Sequence, residues 1–131
     1  MAHDIQGGII LVVDDNLDIR KLAKLFLENS GYAVVTAADG EEGLRMYEDR
    51  QTSIALVISD VKMPNMNGTE LADRVLRMDS QLPVLLMSGD AECDYGGLEC
   101  VVKPFRPAQL IEAVSRILNA KADSERAASA A

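Results

Sequence analysis

Apolar residues fall along this chain in two alternating patterns. Short, nearly unbroken runs of aliphatic and β-branched residues end in polar or turn residues: Gly8-Ile9-Ile10-Leu11-Val12-Val13, Ile54-Ala55-Leu56-Val57-Ile58, and Pro83-Val84-Leu85-Leu86-Met87. Such runs predict strands buried on both faces. Tyr32 to Ala38 and the shorter Glu99-Cys100-Val101-Val102 predict two more. Between the runs the apolar spacing becomes helical, with Ile19, Leu22, Ala23, Phe26 and Leu27, then Leu71, Ala72, Val75 and Met78, and finally Leu110, Ile111, Val114, Ile117 and Leu118.

Boundary residues agree with this division. Asn16 suits a helix N-cap and Gly31 the position just past a helix end. Asp39-Gly40-Glu41-Glu42 resembles a capping box opening a helix to about Asp49. Pro107 suits the first turn of the last helix. The stretch from Ala91 to Gly97 holds few apolar residues and two glycines, so a full helix is not expected there. Residues 1–120 read as one domain, and 121–131, rich in Ala, Ser and charge, as a flexible tail or truncated linker.

Strands alternating with helices argue for a parallel sheet wrapped by helices on both faces. Right-handed crossovers then place all strand carboxyl ends on one edge, where open α/β sheets bind ligands. Asp14 and Asp15, Asp60, Ser88 and Lys103 each stand at or just past the end of a different strand. Taken singly, each has a plain structural use. An acidic pair suits a helix N-terminus, Ser88-Gly89-Asp90 suits a turn, Lys103-Pro104 ends a strand, and Met63 and Met66 suit packing. Together on one rim, they form a candidate site.

Three converging carboxylates repel one another and raise each other's pKa. A hard dication, Mg²⁺ or Mn²⁺, relieves that conflict with oxygen ligands. The ammonium of Lys103, the hydroxyl of Ser88 and the backbone N–H of Gly89 add what phosphoryl oxygens require. Asp60 can itself act as nucleophile, because carboxylates form acyl phosphates.

Composition narrows the field. A chain of 131 residues with net charge −8 lacks the basic face that would grip nucleic acid directly. No apolar run approaches the roughly 20 residues that span a bilayer, and no secretion signal opens the chain. A cytoplasmic protein is expected. Cys93 and Cys100 lack metal-ligand spacing and are expected as free thiols.

The chain resembles the receiver domain of two-component response regulators from about Gly8 to Leu118. The likeness rests on Leu11-Val12-Val13-Asp14-Asp15, Asp39-Gly40-Glu41-Glu42-Gly43-Leu44, Ser59-Asp60-Val61-Lys62-Met63-Pro64-Asn65-Met66-Asn67-Gly68, Leu86-Met87-Ser88-Gly89 and Val102-Lys103-Pro104-Phe105. It implies a flavodoxin-like (CheY-like) doubly wound five-stranded parallel sheet of order 2-1-3-4-5, here with the family's fourth helix shortened or missing. It implies a phosphoacceptor at Asp60, and Mg²⁺ held by Asp15, Asp60 and the backbone carbonyl of Lys62, with Asp14 acting mostly through water. Ser88 matches the switch hydroxyl and Lys103 the phosphate-contacting lysine. The donor would be a phosphohistidine on a sensor histidine kinase or phosphotransfer protein. The output would be a conformational change read by an effector domain or a downstream protein. Such a chain is a signalling phosphoacceptor rather than an enzyme.

Two departures stand out. Cys100 occupies the position where the family usually carries an aromatic that reports phosphorylation. The interval from Ser88 to Lys103 is also too short for a complete helix. Lys62 and Asp90, two residues past Asp60 and Ser88, match positions that tune loss of the phosphoryl group. The rival readings are a phosphorylation-independent interaction module of the same fold and an aspartyl-phosphate hydrolase. The hydrolase would need an Asp-x-Asp strand, whereas Val61-Lys62 follow Asp60.

Overall fold

In the computed structural model, which describes residues 8–90 and 95–130, the strands are β1 (Ile9–Val13), β2 (Ala33–Ala37), β3 (Ile54–Asp60), β4 (Val84–Ser88) and β5 (Glu99–Val102). The helices are α1 (Leu17–Asn29), α2 (Gly40–Asp49), α3 (Gly68–Met78) and α4 (Pro107–Ala130). All strand pairings are parallel, in the order β2-β1-β3-β4-β5. The expected sheet is therefore present. Among the described residues no helix lies between β4 and β5.

The unbroken apolar runs have a direct cause in this architecture. Successive strand side chains face opposite ways, so a strand covered on both sides must be apolar at every position. Leu11 and Val13 of β1 join Val57, Leu71, Val75 and Leu86 in one buried cluster. Ile10 and Val12 join Ala23, Leu27, Ile58, Leu85, Leu110 and Val114 in another, on the opposite face. The acidic edge thus rests on two cores, and burying each Leu or Ile side chain contributes about 1.5–3 kcal/mol.

Local signals set the helix ends. The Asn16 side chain accepts from the N–H groups of Asp18 (2.9 Å) and Ile19 (3.2 Å). Gly31, at φ 96°, takes the left-handed turn that ends α1. Its N–H donates to the Glu28 carbonyl, and that of Tyr32 to Leu27, closing a Schellman motif. Asp39 caps α2 by accepting from Glu42 N–H, but the Glu42 carboxylate reaches back to Ala38 N–H rather than Asp39. The full reciprocal box is at α3, between Asn67 and Glu70.

The structure corrects the sequence at three points. Leu22 lies on the exposed side of α1, 44% accessible, while Ala23 and Leu27 turn inward; apolar spacing alone does not fix which neighbour leads the buried stripe. The last helix does not end near Ala120 but runs to Ala130. Its Ala-rich composition favours helix, and Lys121 ties the extension to the domain by donating to the Gln81 carbonyl at 2.7 Å. Cys100 is disulfide-bonded rather than a free thiol; Cys93, the sequence's other cysteine, lies outside the described residues. No helix among the described residues is long and apolar enough to cross a membrane.

Candidate functional site

Sheet order brings the chemistry together. β1 and β3 are neighbours at the centre while their connections leave to opposite faces, which opens a crevice at their carboxyl ends. Asp14 follows β1, its N–H donating to Ala37 of β2 at 3.2 Å. Asp60 is the last residue of β3 and pairs in register with Met87. Ser88 is the last residue of β4 and pairs with Val102. The N–H of Lys103 donates to the Ser88 carbonyl at 2.7 Å, so the ladder carries the lysine onto the same rim.

Asp14, Asp15 and Asp60 each offer a carboxylate oxygen within 4.8 Å of the others. Asp14 and Asp60 are buried, whereas Asp15 is exposed. Lys103 Nζ bridges the two buried acids, 2.9 Å from Asp14 Oδ2 and 3.0 Å from Asp60 Oδ1. Asp14 Oδ1 accepts from Asn16 N–H at 2.9 Å, so the protein already engages both its oxygens. Among the described residues the Asp60 carboxylate is paired only with Lys103, through Oδ1, which leaves Oδ2 available.

One ammonium does not balance three carboxylates. Burial, the largest influence, pushes the Asp60 carboxyl above its ordinary value; the Lys103 hydrogen bond opposes this, while Asp14 and Asp15 push further up. Burial alone would lower Lys103, but hydrogen bonds and charge from Asp14 and Asp60 outweigh it and hold the ammonium above its usual value. The site therefore carries surplus negative charge in a partly dry setting, with Asp60 Oδ2 and the exposed Asp15 carboxylate still open to a ligand. This donor set fits a hard dication.

Around this centre the structure adds residues that spacing alone does not reveal. Ser88 Oγ accepts from Asp90 N–H and is 3.0 Å from each of its two partners, Asp90 N and Tyr95 Oη. The only sequence signal for Tyr95 is that it is the sole aromatic between β4 and β5. Arg20 Nη1 donates to the Asp14 carbonyl at 2.7 Å, so α1 grips the acidic turn. Gly68 presses on the phosphoacceptor candidate's backbone: a Cβ there would sit 2.2 Å from the Asp60 carbonyl oxygen. Lys62 Nζ and Asp90 Oδ2 pair at 3.4 Å on the exposed rim, where such a pair contributes little to stability. Cys100, opposite Leu86 in the ladder, lies away from the acidic cluster and packs against the core with Tyr95 and Leu98. Met63 and Met66 are buried, as packing residues are.

The model of the response regulator receiver domain matches residues 10–115, nearly the whole folded sheet and its rim. The chain belongs to that family. This receiver domain is 39% identical over 122 residues to a probable transcriptional regulator, ycf27, of Cyanophora paradoxa, an alignment covering 88% of this chain and 50% of the relative. Among solved structures it is similar to the receiver domain of the hybrid histidine kinase CckA, with TM-score 0.76, 36% identity, and coverage of 85% of this chain and 99% of that one. It is also similar to the chemotaxis protein CheY4 of Vibrio cholerae, with TM-score 0.77, 31% identity, and coverage of 84% and 98%. The receiver spans about half the length of curated relatives it matches. Response regulator receivers are signalling proteins of two-component systems.

Proposed function

We propose that this receiver accepts a phosphoryl group from a phosphohistidine onto Asp60 Oδ2 and passes the signal on as a conformational change. The observation that supports this is the meeting of three carboxylates within 4.8 Å, two of them bridged by Lys103. Asp15, Asp60 and the Lys62 backbone carbonyl would hold Mg²⁺ or Mn²⁺, with Asp14 acting through water because its own oxygens are engaged. Such an ion supplies positive charge to the carboxylates and to the incoming phosphoryl oxygens.

The chain's own residues do the rest. Asp60 attacks phosphorus; a P–O bond forms as the P–N bond of the donor breaks, and the leaving imidazole keeps the electron pair and takes a proton from solvent. Lys103, released from Asp60 as that carboxylate becomes an acyl phosphate, is placed to hold a phosphoryl oxygen. Ser88, buried at the next strand end, turns its hydroxyl toward the same group. Lys62 and Asp90 stand where attacking water would approach and tune how long the acyl phosphate lasts. The receiver proper is residues 1–120, and α4 carries on from it to Ala130. The donor is a sensor histidine kinase or a phosphotransfer protein. The output passes through an effector domain or a separate target, as the likeness to transcriptional regulators supports. The cytoplasm is its proposed location.

A fold kept only for protein contact would have no use for the paired acids or the buried lysine, and nothing in the geometry favours that reading. Titration with beryllofluoride, a phosphoryl mimic, in the presence and absence of Mg²⁺ tests the proposal. Saturable, Mg²⁺-dependent binding that shifts the amide signals of Val61 and Lys103 is expected. Absence of binding would overturn it.

A further inference from the structure

Ser88 is 2% exposed, and its hydroxyl is already committed: it accepts from Asp90 N–H and shares a hydrogen bond with Tyr95 Oη, each at 3.0 Å. A serine hydroxyl has one proton and two lone pairs. Asp90 N–H fills one lone pair; with Ser88 as the donor to Tyr95, turning its O–H to a phosphoryl group on Asp60 gives up the Tyr95 bond. Tyr95 itself is half-buried. It sits beside a turn formed by Gly96 and Gly97, both at positive φ, and bridges to Leu98. Its ring packs with Leu98 and Cys100 on the cluster that contains Leu86. The small Cys100 side chain on β5 leaves an aromatic from the β4–β5 connection to cover that side of the core.

We infer that Tyr95 is the residue that senses the orientation of Ser88: its hydroxyl holds Ser88 in the unphosphorylated receiver, and phosphorylation frees it by drawing Ser88 away. Tyr95 is thus a positioning residue that couples the rim to the surface beside β5, through a hydroxyl–hydroxyl bond rather than an aromatic on β5. This inference rests on Asp60 being the phosphoacceptor.

The test uses Tyr95→Phe, which removes only the competing hydroxyl, together with a ring-labelled Tyr95 signal in the parent and in Ser88→Ala. One hydrogen bond is worth a factor of about 2–10 in an equilibrium. Tyr95→Phe is therefore expected to bind beryllofluoride with Mg²⁺ about 2–10-fold more tightly than the parent. The Tyr95 ring signal should shift on binding in the parent, and should stay fixed in Ser88→Ala even when the Val61 amide reports occupancy. Unchanged or weaker binding by Tyr95→Phe, or a ring signal that ignores occupancy in the parent, overturns the inference alone. A parent that binds no beryllofluoride overturns this inference and the phosphoacceptor reading together.

Discussion

Lys103 and Asp14 are separated by 89 positions in the chain, yet the lysine ammonium stands 2.9 Å from the Asp14 carboxylate. The lysine side chain is 19% exposed and the aspartate fully buried. Removing one member of a buried pair leaves the other charged and uncompensated, at a cost of about 3–5 kcal/mol; the residual exposure of Lys103 places this case at or below the lower end. Lys103→Met is therefore expected to destabilise the metal-free protein by about 2–3 kcal/mol. It should also weaken beryllofluoride binding by about tenfold, the loss of one charge-assisted contact. Urea unfolding and a binding titration on the same variant check both; full stability with undiminished binding would contradict this role.

Asp60 gives the opposite sign. Its carboxyl is held above its ordinary value by burial, then by Asp14 and Asp15, against the pull of Lys103. A carboxyl raised in the folded state is ionised at a cost to folding. That cost is present above the folded-state value and fades as pH falls through it toward the unfolded-state value. Metal-free Asp60→Asn is expected to be more stable than the parent at neutral pH. The gap should close on acidification, and Mg²⁺ should close or reverse it by binding the folded parent. Unfolding midpoints of both proteins across pH, with and without Mg²⁺, measure this. A metal-free parent that is the more stable of the two at neutral pH would count against it.

Gly68 opens α3 where a Cβ would lie 2.2 Å from the Asp60 carbonyl oxygen and 3.0 Å from Val61 Cα. Alanine ordinarily favours a helix over glycine by up to about 1 kcal/mol. Here the backbone of β3 would have to move, and overpacking costs typically about 1–3 kcal/mol. Gly68→Ala should lower stability and slow labelling of Asp60 by acetyl phosphate. A stabilised variant with normal labelling would show that the close approach is tolerated.

Lys62 pairs with Asp90 at 3.4 Å, with side chains 79% and 53% exposed. Lys62→Ala should leave stability within about 0.5 kcal/mol while shortening the phosphoryl half-life severalfold, as the rim opens to water. An unchanged half-life would leave only a solvated ion pair.

The sheet and its acidic edge were legible because their causes are local or topological. Runs such as Leu11-Val12-Val13 and Leu56-Val57-Ile58 can only be strands covered on both faces. Parallel crossovers then oblige Asp14, Asp60, Ser88 and Lys103 to share a rim, as they do. The family resemblance supplied the separate roles proposed for these residues, which the edge alone would leave open. What escaped depended on contacts distant in sequence or on shared helical tendency. Leu22 and Ala23 are adjacent, and only packing decides which turns inward. The last helix runs on because Lys121 finds the Gln81 carbonyl, a partner no spacing rule would name. Tyr95 stood in a segment without pattern, and its bond to Ser88 exists only once β4 and the following turn are placed.

The most direct measurement is intact-mass and peptide analysis of the receiver after incubation with acetyl phosphate, in parallel with Asp60→Asn and with a sample lacking divalent metal. The account expects one phosphoryl group per chain, carried on Asp60, formed only with Mg²⁺ or Mn²⁺ and absent from Asp60→Asn. Normal uptake of label by Asp60→Asn, or uptake that ignores the metal, would contradict it.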